Sequence, residues 1–308
     1  MLIAFVHSGK AFLPGMEAYS DFFSHRGVDT CMVLKRELRK RQPDIEWHFM
    51  GTHFKRDFSS SVIIHEYASA SIPPFSGLKD AVKRHLNITP DFRIFLNEYV
   101  RDKLRLAGSI PYGFRDLGLR DEFITAPAEF KNVNKEYDFV YSGSASGDLK
   151  LHKLLNHFKK VLKEKSILVL SRNYDELAAK YKMQPNIFFN GPVEQRRVPE
   201  FLSKARFAIN FKPNIEPHNR QTVTKLMEYA ACRVPVITSD LAWVREFQQQ
   251  RGGEYFYLKE DLSNFTWENI NRFKYTFPDL TKLTWEHQIR SSGILDFLAS
   301  RFPGTDWS

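Results

Sequence analysis

The chain has 308 residues, of which 43% are hydrophobic and 26% charged, with a net charge of +9. That length suits two domains of ordinary size, and the composition excludes low-complexity, fibrous and disordered classes. No apolar run approaches the roughly 20 residues of a membrane helix, and the positive balance favours an anionic partner: a nucleotide, an anionic lipid surface or nucleic acid.

In chain order, residues 2–6 form a short apolar run with no basic segment before it and no small-residue cleavage site, so they read as a first strand and not as a signal peptide. A loop with Gly9, Lys10, Pro14 and Gly15 follows, then a helix over residues 16–25 closed by Gly27. Residues 30–34, 62–64 and 93–96 read as further strands. Lys35, Arg36, Arg39, Lys40 and Arg41 make a dense basic run beside the aromatic-rich segment 47–58. Such a run is ordinarily a solvated face; beside aromatics it also suits docking on anionic lipid. His65 and Glu66 follow the strand 62–64, His7 ends the first strand, and Asn97 with Glu98 ends another. At strand ends these residues are candidates for an acceptor contact or a general base, against a bland reading as hydrogen-bonded structural groups. The sequence turns polar and irregular over residues 118–134, where the domain boundary is expected.

From residue 137 the pattern becomes regular. Strands are expected at 137–143, 167–171, 187–190, 207–211 and 234–238, and helices at 148–162, 174–181, 198–203 and 222–231. The first of these helices carries Leu151, Leu154, Leu155, Phe158 and Leu162 at helical spacing. Strand and helix in alternation mean a parallel sheet covered on both faces, hence an α/β protein with Rossmann-like domains. A final helix is expected over residues 285–302. Cys31 and Cys232 lie far apart in apolar surroundings and read as reduced core residues of a cytoplasmic protein.

The most informative stretch runs from Arg206 to Asp240: strand (RFAINF), polar loop (KPNIEPHNRQ), helix (TVTKLMEYAAC), strand (VPVIT). In a parallel sheet the loop after a strand opens on the ligand side. The helix N-terminus around Thr224 offers backbone amides to an anion, and Lys225 adds a charge there. Glu228, one turn on, is placed to accept hydrogen bonds from ribose hydroxyls. A nucleoside diphosphate fits such a segment.

Lys225-Leu226-Met227-Glu228-Tyr229-Ala230-Ala231, followed by Pro235-Val236-Ile237-Thr238, resembles the donor-site signature of GT-B glycosyltransferases, most closely the retaining group 1 (family 4) enzymes. Weaker marks fall in the same order: YDFVYSG at 137–143, NIFFNGPV at 186–193, a connecting segment at 110–123, and Trp285-Glu286 in a closing helix. The resemblance implies two Rossmann-like domains facing a central crevice, with an acceptor-side domain over residues 1–118, a donor domain over 119–284 and a closing helix over 285–308. It implies that Glu228 binds ribose and that Lys225 and the amides around Thr224 bind the diphosphate. The backbone near Val193 meets the base beside Arg172, and Ser144 and Lys150 approach the phosphates. His65 and Glu216 are the catalytic candidates. No metal and no cofactor are implied beyond the sugar nucleotide, because Lys, Arg and helix dipoles can stabilise the leaving group.

The sequence also departs from that pattern. The family often carries two glutamates eight positions apart, but Arg220 stands eight before Glu228, with Glu216 the nearest carboxylate; Ser144 stands where Gly143 is usually followed by Arg. The activity implied is transfer of a hexose from a nucleotide sugar to a glycan or lipid-linked glycan, in cell-surface polysaccharide or lipopolysaccharide assembly. The location implied is the cytoplasm, with peripheral contact to the inner face of the membrane. An epimerase of the same fold would need acid/base carboxylates around the sugar, and no convincing set is present. A nucleic-acid-binding module would use the basic run and the aromatics, but no such motif is present. Nucleophile elbow, P-loop, GxGxxG and cysteine-histidine clusters with metal spacing are all missing from the sequence.

Overall fold

The computed structural model describes residues 1–9, 13–49, 52–59, 61–71, 74–144, 151–172, 174–216 and 218–307. The chain divides into two compact units: Met1–Gly118 with Lys282–Ser308, and Leu119–Thr281.

The first unit contains β1 (Leu2–His7), α1 (Pro14–Ser24), β2 (Asp29–Leu34), a 3-10 turn over Lys35–Lys40, β3 (Ile45–Phe49), β4 (Val62–Tyr67), α2 (Ser76–His85), β5 (Phe92–Phe95), α3 (Glu98–Leu104) and β6 (Tyr112–Phe114). Its strands are parallel in the order β2-β1-β3-β4-β5-β6. α1 begins at Pro14 and not at residue 16, because proline suits the first turn, where its missing N–H has no intrahelical partner. β3 (IEWHF) was not anticipated. All five of its residues are buried, so although Glu46 and His48 alternate with Ile45, Trp47 and Phe49, the polar pair faces protein and not solvent.

The second unit contains α4 (Asp121–Glu129), β7 (Tyr137–Ser142), α5 (Leu151–Lys160), β8 (Ile167–Leu170), α6 (Asp175–Lys180), β9 (Ile187–Asn190), α7 (Val198–Ser203), β10 (Ala205–Asn210), α8 (Thr224–Ala231), β11 (Val236–Ser239), α9 (Ala242–Arg251), β12 (Phe256–Leu258) and α10 (Trp267–Arg272). Its sheet is also parallel, ordered β12-β11-β10-β7-β8-β9. The strand order reverses between β7 and β10, which makes that junction the switch point of a Rossmann sheet. The segment expected to be irregular, 118–134, instead holds α4, with Pro127 inside it. α5 packs Leu151, Leu154, Leu155 and Phe158 against Phe139 and Ile167, as its spacing requires.

The closing segment is two helices, α11 (Trp285–Arg290) and α12 (Ile294–Arg301), and not one. Gly293, at φ +76°, interrupts the helix between them. Ile289, Ile294, Leu298 and Trp307 bury into the same core as Ile3, Phe5 and Trp47. Gly113 permits this packing, since a methyl group there would run into the carbonyl oxygen of Ser292. Two Rossmann-like parallel sheets, each with its own core, are thus the architecture expected for the GT-B class.

Arg105 closes α3 in the left-handed conformation, at φ 47° and ψ 47°. That region costs a non-glycine residue roughly 1–2 kcal/mol, more than the roughly 0.5–1 kcal/mol of extra unfolded-chain entropy that glycine brings. Arg105→Gly is therefore expected to stabilise the protein by about 0.5–1 kcal/mol, read as a higher urea midpoint at unchanged slope; a lower midpoint contradicts the assignment.

Candidate functional site

In a parallel sheet all strands deliver their C-terminal residues to one edge. Register makes this concrete in the second unit. Ser142 lies opposite Leu170, Leu170 opposite Asn190, and Asn210 opposite Thr238. The segments beginning at Gly143, Ser171, Gly191 and Phe211 therefore leave the sheet along the same edge. Ser144, Arg172 and Val193 lie on them, with Ser144 and Arg172 exposed and Val193 half-buried. Lys150 lies outside the described residues.

The helix after β10 forms the floor. Leu226, Met227, Tyr229, Ala230 and Ala231 are buried, so α8 has little freedom to shift. The Tyr229 hydroxyl accepts from the Ser142 amide at 2.9 Å and donates to the Ser142 carbonyl at 3.1 Å. These two bonds fasten α8 to the end of β7, across the switch point. No side chain among the described residues caps α8 at Val223, so the positive end of its dipole is open to an anion, although the Leu226 and Met227 amides already donate to the Val223 carbonyl.

Three charged groups meet above this turn. Lys225 Nζ lies 2.6 Å from Glu228 Oε2, and Glu228 is only 2% exposed although it is ionisable. Gln195 Nε2 reaches Glu228 Oε1 at 3.5 Å, which links the turn after Val193 to the same carboxylate. Lys212, the second residue after β10, is the third charge. Burial and the neighbouring Lys225 ammonium push its pKa down, and the Glu228 carboxylate opposes them. A half-buried lysine held beside a second cation attracts anions, because a phosphate relieves both the desolvation and the repulsion. Sequence reading missed Lys212 and Gln195. The signal for Lys212 was its place at the carboxyl end of RFAINF; Gln195 carried none. Glu216 is exposed in the loop before α8.

In the first unit, His65 belongs to a closed cluster. It is fully buried; its Nε2 lies 2.9 Å from His53 Nδ1 and its Nδ1 lies 3.4 Å from the Tyr67 hydroxyl. The structural reading of His65 accounts for these contacts; a base acting on a bound hydroxyl needs an open ring nitrogen. Asn97 likewise caps α3 by accepting from the Val100 amide at 3.0 Å. Glu66 accepts from Trp47 Nε1 at 2.8 Å and pairs with Arg115 in the core. His7 Nδ1 accepts from the Gly9 amide at 3.2 Å.

Two predictions follow from these contacts. Tyr229→Phe leaves the buried Ser142 amide without its acceptor, which costs about 1–3 kcal/mol; calorimetry showing an unchanged unfolding midpoint would contradict the role given to this hydroxyl. The second concerns pH. His53 is lowered to about 4, by burial first and then by His48 and Lys35, with Glu46 and Asp57 opposing. His65 is held well below the ordinary range, by burial and then by His48, His53, Arg93 and Lys35. Unfolded histidine titrates near pH 6.5, so protons bind the unfolded chain first as pH falls. The stability these two rings contribute is complete above about pH 6.5 and drains away towards pH 4. A melting temperature that stays level from pH 7.5 to 5 contradicts this.

Comparisons with known proteins agree with the fold. Residues 136–268 match the model of the family described as Glycosyl transferases group 1. Anabaena Alr3699/HepE, solved in complex with UDP and glucose, superposes with a TM-score of 0.62 at 10% identity, covering 98% of this chain and 95% of that one. AviGT4, a glycosyltransferase involved in avilamycin A biosynthesis, gives 0.58 at 13% identity, covering 98% and 96%. The UDP-GlcNAc 2-epimerase of Methanocaldococcus jannaschii, in complex with UDP-GlcNAc and UDP, gives 0.59 at 11% identity, covering 96% and 100%. No curated protein gives a significant match. The second unit's sequence thus carries the resemblance to the group 1 glycosyl transferases, and the two Rossmann sheets have the GT-B fold.

Proposed function

We propose that the protein transfers a sugar from a nucleoside diphosphate donor to a glycan or lipid-linked glycan, and that the donor binds at the C-terminal edge of the second unit's sheet. The observation that carries this reading is the meeting of Lys212, Lys225 and Glu228 over the uncapped first turn of α8. In this reading the two ammonium groups and the amides around Thr224 take the diphosphate. Glu228 takes the ribose hydroxyls, with Gln195 holding its second oxygen. The turn at Val193 meets the base, flanked by Arg172, while Ser144 and Lys150 approach the phosphates from β7. Departure of the diphosphate leaves two negative charges on the donor side, and fixed cations and amides stabilise that charge without a metal ion. Glu216 is the carboxylate proposed to face the transferred sugar. Retention of anomeric configuration is proposed from the group 1 resemblance, as is a place in cell-surface polysaccharide assembly.

The epimerase reading shares the fold but not the chemistry. It needs carboxylates on both faces of the sugar ring, whereas Glu228 is spoken for by Lys225 and Gln195.

Thermal-shift titration tests the donor site. UDP, GDP, ADP and CMP are compared with their nucleosides on wild type and on Glu228→Ala, Lys212→Ala and Lys225→Ala. Ligand at about 100 times Kd adds roughly 2.7 kcal/mol of stability. One nucleotide is expected to shift wild type. Glu228→Ala should lose both nucleotide and nucleoside, because it removes the ribose contact. The lysine variants should lose the nucleotide and keep the nucleoside. No shift with any nucleotide sinks the reading. Glu216→Gln should keep the shift and lose transfer.

The exposed basic turn supports peripheral contact with anionic lipid. Lys35, Arg36, Arg39, Lys40 and Arg41 all face outward, with Phe54 53% exposed and 6.0 Å from Lys35 Nζ. Arg39 spends part of its charge on Asp57 at 2.9 Å. Among the described residues no helix is long and apolar enough to cross a membrane. Each cation near such a surface contributes about 1 kcal/mol, so Lys40→Glu with Arg41→Glu is expected to abolish co-sedimentation with phosphatidylglycerol vesicles at low salt. Equal sedimentation of wild type and variant contradicts the docking role.

A further inference from the structure

Glu46, His48 and His53 each offer one ligand atom within 4.8 Å of the others, and all three are buried. Two come from β3, where positions 46 and 48 share one face, and the third from the segment that follows it. The arrangement is held from outside. Ser61 Oγ donates to Glu46 Oε1, which leaves Oε2 turned towards His48 Nε2 at 3.1 Å. His53 Nδ1 contacts His65 Nε2 at 2.9 Å, and the His53 amide donates to Asn87 Oδ1 at 2.8 Å. His65 Nδ1 in turn faces the Tyr67 hydroxyl.

Among the described residues, a ring nitrogen of one of the three ligand candidates has no partner. His53 Nε2 is buried and makes no hydrogen bond, on a residue that is 0% exposed. If His53 donates through Nδ1 to His65, Nε2 carries a bare lone pair. If it accepts there, Nε2 carries a buried N–H with nothing to receive it. Either state leaves a desolvated polar atom, which is unfavourable. A cation resolves the first state at once, because the lone pair becomes a ligand while Nδ1–H keeps its bond to His65. That division of labour, one imidazole nitrogen on the metal and the other on an orienting partner, is usual for metal-bound histidine. The spacing of one pair also fits: ligands about 2.0–2.1 Å from a tetrahedral ion lie roughly 3.3 Å apart, close to the 3.1 Å between His48 Nε2 and Glu46 Oε2; the His48 and His53 rings, stacked at 3.8 Å with planes 22° apart, turn their edges together as the ion binds. Glu46 brings a negative charge, and the proton between it and His48 leaves as the ion enters.

We propose that Glu46, His48 and His53 form a zinc-type divalent metal site inside the first unit, with His65 as a positioning residue. Two imidazoles and one carboxylate suit Zn²⁺ or Co²⁺ and not the oxygen-seeking Mg²⁺ or Ca²⁺. The ion joins β3 to the segment after it and to β4 through His65; it lies in the first unit and takes no part in the proposed donor chemistry.

The test uses the full chain stripped of metal and titrated with Co²⁺, then with Zn²⁺. One Co²⁺ per chain is expected, with the visible absorption bands of a tetrahedral N/O site, displaced by Zn²⁺. His53→Gln should lose the bands, and His65→Gln should weaken binding roughly 10–100-fold while keeping them. His7→Gln, at a half-buried histidine outside the cluster, should bind as wild type. Retention of the nucleotide-induced thermal shift in His53→Gln, or retention of its circular dichroism if no nucleotide binds, shows that the variant is folded. Absence of tetrahedral bands in wild type, or bands that persist in His53→Gln, overturns the proposal. If His53→Gln fails to fold, X-ray absorption on zinc-loaded wild type decides alone: two imidazoles and a light-atom shell support the site, and any other set overturns it.

Discussion

The hydroxyl of Tyr229 makes two hydrogen bonds to one residue, Ser142, and the candidate donor site rests on that pairing. A Rossmann sheet gathers its loops along one edge but does not fix the height of each helix relative to the strand beside it. Here α8 is held at both polar atoms of the last residue of β7, so its first turn stands at a set distance from Gly143 and Ser144. The charges on that turn inherit the precision. Glu228 and Lys225 are three residues apart on a helix that cannot slide, and Lys212 enters from the strand on the same side of the switch point. A buried carboxylate is costly alone; beside Lys225 and Lys212 it is supported.

A second interaction organises the first unit. Arg115 is 2% exposed and pairs with Glu66, while its guanidinium lies 5.4 Å from the Tyr19 ring centre and 5.1 Å from that of Trp285. Its Nε donates to the Tyr19 hydroxyl at 3.0 Å. A planar, delocalised cation stacks on aromatic faces as an ammonium does not, and removing either partner of such a buried pair leaves an uncompensated charge, costing about 3–5 kcal/mol. With these rings the pair therefore secures four stretches distant in sequence: α1, β4, the segment after β6 and the start of α11. Gly118 belongs to the same knot, since a Cβ there would sit 2.7 Å from the Trp285 Cα.

How much of this was legible beforehand depended on whether the signal was local. The strand-loop-helix-strand run around Glu228 is contiguous, so its residues could be named and placed. The His48, His53 and His65 cluster is not. His48 and His65 are register partners on neighbouring strands, and their proximity exists only once β3 and β4 pair. β3 was missed although Ile45, Trp47 and Phe49 alternate with Glu46 and His48 as strand residues do; what no local pattern shows is that the polar pair is buried too. Lys212 looked like one loop cation among many until the structure placed it, half-buried, within the fields of Lys225 and Glu228. The break between α11 and α12 was written in Gly293, but a helical periodicity that continues on both sides masked it. Glu66 was singled out for its strand-end position, yet its partner Arg115 lies 49 residues away and carries no local mark.

The return of residues 282–308 to the first unit sets an order of events at the ribosome. The core around Ile3, Phe5 and Trp47 is closed by Ile289, Ile294, Leu298 and Trp307, which emerge only after the whole second unit has been made. The second unit is continuous and can complete its own core first. The earliest-synthesised residues must wait with an unfinished apolar face, and that waiting period is when nascent chains are most exposed to aggregation. The half of the molecule translated first is thus the half that finishes last.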